Sequence, residues 1–125
     1  MLFDTDMFIW VQRGNLKAAR LIEDTAERLL SVQSYMELLQ GAENRRQREL
    51  TKSFLRDFGF ITLPLTENIG HRAAVYVEEY GLSHGLRAGD AIIAATATEQ
   101  GLVLCTSNAK HFQPIKDLTT KIFKP

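Results

Sequence analysis

Met1-Leu2-Phe3-Asp4-Thr5-Asp6 opens the chain, a short apolar run ending on a carboxylate with a second carboxylate two places later. Leu2 and Phe3 suit a buried strand, whereas an acid desolvated at the end of such a strand is costly unless a cation or hydrogen-bond donors compensate it. In open α/β sheets the carboxyl ends of the strands are where ligands bind. Asp4 therefore stands where a site residue would stand, provided the rest of the chain builds a parallel sheet.

The rest of the chain has that pattern. Apolar runs suited to buried strands recur at residues 29–32, 60–65 and 102–105, with a weaker one at 121–123. Helical patterns fill the gaps. Ile69, Ala73, Tyr76, Val77 and Tyr80 share one helical face, and Gly81 is expected to end that helix as a left-handed cap, with Gly101 doing the same for the segment that begins near Asp90. Phe8, Ile9 and Trp10 suit a buried first helix. Strands alternating with helices require crossover connections, hence a mostly parallel central sheet with helices on both faces.

No internal repeat or linker divides the 125 residues, so one domain spanning 1–125 is expected. A hydrophobic fraction of 45% with 24% charged residues excludes a disordered or fibrous chain. Fifteen basic residues balance fifteen acidic ones, so binding to a polyanion must rely on a local patch. The best patch is Arg45, Arg46, Arg48, Lys52 and Arg56, opposite a stripe of Leu50, Phe54 and Phe58. A solvated helix face accounts for those charges equally well. The lone Cys105 lies in an apolar run and is read as a buried strand residue. No apolar run is long enough to span a bilayer and no basic leader precedes one, so a cytoplasmic location is expected, with no membrane partner.

Four carboxylates are set among small or apolar neighbours: Asp4, Asp6, Glu37 and Asp90. Ser34-x-x-Glu37 fits a capping box, in which Glu37 only reaches back to a backbone amide. Asp90 opens Gly89-Asp90-Ala91-Ile92-Ile93-Ala94-Ala95-Thr96-Ala97, a helix too apolar for a surface, where a first-turn acid also serves the helix dipole. The functional alternative has these acids converging at the carboxyl end of the sheet around a hard divalent cation, for which magnesium or manganese suits oxygen ligands. Thr106 and Asn108, at the end of the strand near residue 104, fall where a strand meets a ligand.

Together, Leu2-Phe3-Asp4-Thr5-Asp6, Ser34-Tyr35-Met36-Glu37-Leu38-Leu39-Gln40-Gly41, Leu86-Arg87-Ala88-Gly89-Asp90-Ala91-Ile92-Ile93-Ala94-Ala95-Thr96-Ala97 and Thr106-Ser107-Asn108-Ala109-Lys110-His111-Phe112 resemble the PIN-domain ribonucleases, particularly the VapC-type toxins of bacterial toxin–antitoxin pairs. The resemblance covers nearly the whole chain. It implies a PIN-like three-layer sandwich and a magnesium- or manganese-dependent endoribonuclease whose metal-binding and catalytic acids match Asp4, Glu37 and Asp90. It also implies an RNA substrate, a small cognate antitoxin and a homodimer. Thr5, Asp6, Arg87, Thr106, Asn108 and His111 are candidate polar or substrate contacts. One departure concerns His111, since many relatives carry an aspartate just before the phenylalanine matching Phe112. The loss of that acid weakens the case for a second metal.

Two rivals fall to different arguments. Asp4-Thr5-Asp6 also resembles the start of a haloacid-dehalogenase-like phosphatase, but Gly89-Asp90 precedes Thr106-Ser107-Asn108 instead of following it. A catalytically silent PIN-like module that binds RNA or protein has little reason to bear the repulsion of three converging acids.

Overall fold

The computed structural model describes residues 1–125, and its sheet is parallel throughout. The strands are β1 (Leu2–Phe3), β2 (Leu29–Ser31), β3 (Ile61–Leu63), β4 (Leu104–Thr106) and β5 (Thr120–Ile122), in the spatial order β3-β2-β1-β4-β5. Helices α1 (Thr5–Gln12), α2 (Leu16–Asp24), α3 (Val32–Gly41), α4 (Arg45–Asp57), α5 (Glu67–His84), α6 (Ala88–Glu99) and α7 (Ala109–Phe112) connect them.

Successive strand residues point to opposite faces, and this alternation builds the layers. Leu2, Leu29 and Leu104 pack into one core with Ile69, Tyr76, Ile93 and Phe112, whereas Phe3, Leu30 and Cys105 pack into the other with Met7, Ile22, Leu38 and Leu55. The result is the expected three-layer α/β sandwich, with α1 to α4 covering one face and α5 to α7 the other. Cys105 is fully buried, and burial pushes its thiol up to about 12, so it has no thiolate to react at neutral pH. No helix is long and apolar enough to cross a membrane.

Several local expectations change. The helix containing Tyr76 does not stop at Gly81 but continues for another turn to Gly85, which takes the left-handed conformation at φ 67°. The N–H of Leu86 reaches back to the carbonyl of Tyr80, and Leu86 is buried while Leu82 is exposed, so the cap falls where the following leucine can enter the core. Val77 is on the exposed side of this helix. Gly101 does follow α6 with positive φ. Ser31, not Ser34, caps α3, because the helix begins directly at the end of β2. At the far edge, β3 exposes Ile61 and Thr62 instead of burying them, since only one strand neighbours it. In α4 the buried positions are Thr51 and Leu55, with Leu50 exposed, and on α1 Phe8 is buried while Ile9 is exposed.

The order of the strands fixes the place of the site. From β1 the chain proceeds outward through β2 and β3 on one side, and then returns to the other side of β1 to form β4 and β5. The direction reverses between β1 and β4, and the crevice outside the carboxyl ends of those two strands is the topological switch point.

Candidate metal centre

Asp4 leaves β1 at that crevice and caps α1, and Thr106 ends the neighbouring β4. The Thr106 hydroxyl donates to Asp4 Oδ2 at 2.7 Å, and the Thr5 amide donates to Oδ1 at 2.8 Å. Both donors favour the ionised acid. They are outweighed. Asp4 is only 5% exposed, and burial first, with the Asp6 charge second and Asp90 adding, pushes its carboxyl up to about 8.

Asp6, in the first turn of α1, turns toward the end of β4. Its Oδ2 accepts the Ser107 amide at 2.9 Å and the Ser107 hydroxyl in a short contact, and Trp10 Nε1 donates to that same hydroxyl at 3.0 Å. The other oxygen, Oδ1, is buried with no donor at all. A carboxylate oxygen in that position lacks a partner that a proton or a cation would supply.

Glu37 comes from α3. With Ser31 as the cap, it lies past the first turn and has no orphan amide to serve, so the capping-box reading fails for a geometric reason. Its Oε1 instead accepts from Thr5 Oγ1 at 2.5 Å, and its Oε2 accepts from Gln33 Nε2 at 3.2 Å. Asp90 lies in the first turn of α6, with its carboxyl raised by burial and by the Glu37 charge, against the opposing pull of His111 and the Arg87 amide. His111 Nδ1 is 3.2 Å from Asp90 Oδ2 and 2.8 Å from Asn108 Nδ2, so α7 is tied to α6 through this imidazole. Arg87 is exposed at the N-cap of α6.

Asp90 links the acids at the switch point: its charge acts on Asp4, which feels Asp6 more strongly, and it feels in turn the charge of Glu37 and the opposing pull of His111. The acids repel without closing. No three acidic, histidine or cysteine side chains stand as a ready-made metal cage. The arrangement nonetheless fits a cation by its chemistry: the Asp4 and Asp90 carboxyls are held above the usual carboxylate range, the buried Oδ1 of Asp6 has no donor, and the His111 imidazole contacts Asp90. Sequence reasoning passed over Ser31, Gln33 and Ser107. Of these only Gln33 carried a signal, its spacing of four from Glu37 on a helix.

A groove of about 620 Å³ between α1, α3 and α4 reaches the acids at Glu37, and its walls include Phe8, Ile9, Leu38, Leu50 and Phe54. The exposed cations Arg45, Arg46, Arg48, Lys52 and Arg56 all lie on α4, the outer wall of that groove.

A parallel α/β sandwich with carboxylates gathered at its switch point defines a class of protein, and the comparisons give it a family. The family profile described as PIN domain matches residues 1–117. The chain belongs to the PIN-domain family and is related to the VapC-type toxins of toxin–antitoxin systems. It is 33% identical over 122 residues to Ribonuclease VapC10 of Mycobacterium tuberculosis, covering 94% of this chain and 90% of that protein. Among solved structures, a toxin–antitoxin complex from Klebsiella pneumoniae superposes with a TM-score of 0.80 at 30% identity, covering 98% of each chain. VapBC-1 from nontypeable Haemophilus influenzae shares the fold at a TM-score of 0.80 and 24% identity, over 97% of this chain and 96% of that one.

Proposed function

We propose that the chain is a divalent-metal-dependent endoribonuclease acting as one PIN-like domain, the cytoplasmic toxin of a toxin–antitoxin pair. The observation that carries the reading is the desolvated Asp4 at the switch point, pushed up to about 8 beside Asp6 and Asp90. Its capping of α1 uses one oxygen and would be served as well by a neutral serine or asparagine, so the cap alone does not call for a buried acid. Removing it from water costs stability unless something compensates the charge. Membership of a family that includes a protein named a ribonuclease supports the same direction.

Asp4 and Asp90 would hold magnesium or manganese, with Glu37 binding directly or through water. When bound, the ion supplies Lewis acidity toward a phosphate oxygen and lowers the pKa of water. The protein's own part is to position. Thr106 and the Thr5 amide fix both oxygens of Asp4, the Thr5 hydroxyl fixes Glu37, and His111 holds Asp90 from the side of α7. Asn108 orients His111, and Arg87 and the α4 cations are exposed where they can meet an RNA backbone.

The groove that ends at Glu37 suits a small antitoxin, which would lay an apolar helix face there and offer an arginine to the acids. Homodimerisation belongs to the same reading. The alternative, a silent PIN-like binding module, draws support from the open spacing of the acids. One assay separates the two. Purified protein is expected to cleave RNA with manganese and not with a chelator, and Asp4→Asn is expected to lose at least about a hundredfold of that rate. Binding of RNA without metal-dependent cleavage would favour the silent module.

A further inference from the structure

We propose that Gln33 and Gly89 are positioning residues for Glu37, with the missing side chain at residue 89 providing the space in which the Glu37 carboxylate is held. The inference deepens the metal-site reading and rests on it. Gln33 precedes Glu37 by one helical turn on α3 and donates to Oε2 at 3.2 Å, while Thr5 from α1 holds Oε1 at 2.5 Å. Across from them is the first turn of α6. A Cβ at Gly89 would fall 2.9 Å from Glu37 Oε2 and 3.1 Å from Gln33 Nε2, closer than such atoms approach without movement.

The backbone does not explain this glycine. Residue 89 lies within a helix and is not among the glycines with positive φ, so an L-residue could adopt its conformation. Glycine in a helix interior costs about 1 kcal/mol relative to alanine, and Gly89, in the first turn of α6, bears part of that cost. The contact does explain it: the bare Cα admits a carboxylate and an amide from α3 against the residue that immediately precedes Asp90. An alanine would be accommodated easily, because the atoms it meets are the ends of two flexible side chains. The fold would survive. The displaced atoms, however, are those that set where Glu37 faces Asp90.

The test is a calorimetric titration of manganese into wild type, Gly89→Ala, Gln33→Leu, Glu37→Gln and the double variant Gly89→Ala/Glu37→Gln, with thermal melts of each metal-free protein. Gly89→Ala and Gln33→Leu are each expected to weaken manganese binding about tenfold, the usual effect of losing a group that orients a ligand. Gly89→Ala should melt no lower than wild type. The double variant should bind no more weakly than Glu37→Gln alone, because residue 89 acts only through that carboxylate. The proposal is overturned if Glu37→Gln weakens binding while Gly89→Ala stays within about twofold of wild type, or if the two losses multiply in the double variant. If Glu37→Gln binds as wild type does, this inference alone fails, because Asp4 and Asp90 still hold the ion; if wild type binds no manganese, the metal-site reading fails and takes this inference with it.

Discussion

Asp4 carries a conflict that pH should expose. In an unfolded chain its carboxyl ionises near 3.8, whereas in the fold it holds its proton to about 8, because burial and the Asp6 charge disfavour the anion. Between those values the folded state binds a proton that the unfolded state has lost, so stability falls as pH rises. Asp90 is raised in the same direction. Metal-free protein is therefore expected to resist denaturant better near pH 5 than near pH 8, and Asp4→Asn should flatten that slope and raise the stability at pH 8. A stability that climbs across the same interval would contradict the burial argument. His111 makes a second, separable prediction. Since it touches Asp90 but not Asp4, His111→Ala is expected to lose roughly tenfold in cleavage, far less than Asp4→Asn. His111→Asp should let a second manganese bind. Equal inactivity of folded His111→Ala and Asp4→Asn would make the histidine a primary group.

Helix α6 depends on small residues. Ala91, Ala94, Ala95 and Ala97 are all completely buried in the core that α6 shares with α5 and α7. Ala94→Leu adds three carbons to a packed interior and is expected to cost about 1–3 kcal/mol, read as a lower denaturant midpoint with an unchanged slope. This helix was plain in the sequence, since a polar-poor run can only be interior. So were the strands, because apolar pairs such as Leu2-Phe3 and Leu104-Cys105 serve the two cores in alternation. Competing signals were harder. Gly81-Leu82 and Gly85-Leu86 read alike, and only the burial of Leu86 decides between them. Ser31 and Ser34 both precede α3, and the end of β2 selects Ser31. The acids at the starts of α1 and α6 could be picked out by their neighbours. The donors that hold Asp4 and Glu37, the hydroxyls of Thr106 and Thr5, join distant segments and became visible only in three dimensions.

The whole molecule is neutral, yet its charge is divided: an acidic crevice at the switch point with Asp4 buried in it, and a basic outer face on α4 beside a groove lined by both apolar and polar side chains. Under the proposed function, the acidic crevice is what a partner's basic side chain would block. Under that reading a small antitoxin is expected to suppress cleavage and to compete with manganese, and Leu50→Glu in the groove wall should weaken its binding without changing cleavage by the free protein. A complex that remains fully active would argue against this placement. The central claim, that acids brought together by a parallel sheet await a divalent cation, is tested most directly by following the thermal midpoint as manganese is added at pH 7.5. At about a hundredfold excess over its Kd, a cation bound only by the folded state adds about 2.7 kcal/mol. Wild type should accordingly gain several degrees. Asp4→Asn should start higher and gain little. An unresponsive wild type, or an equal gain in Asp4→Asn, would contradict the account.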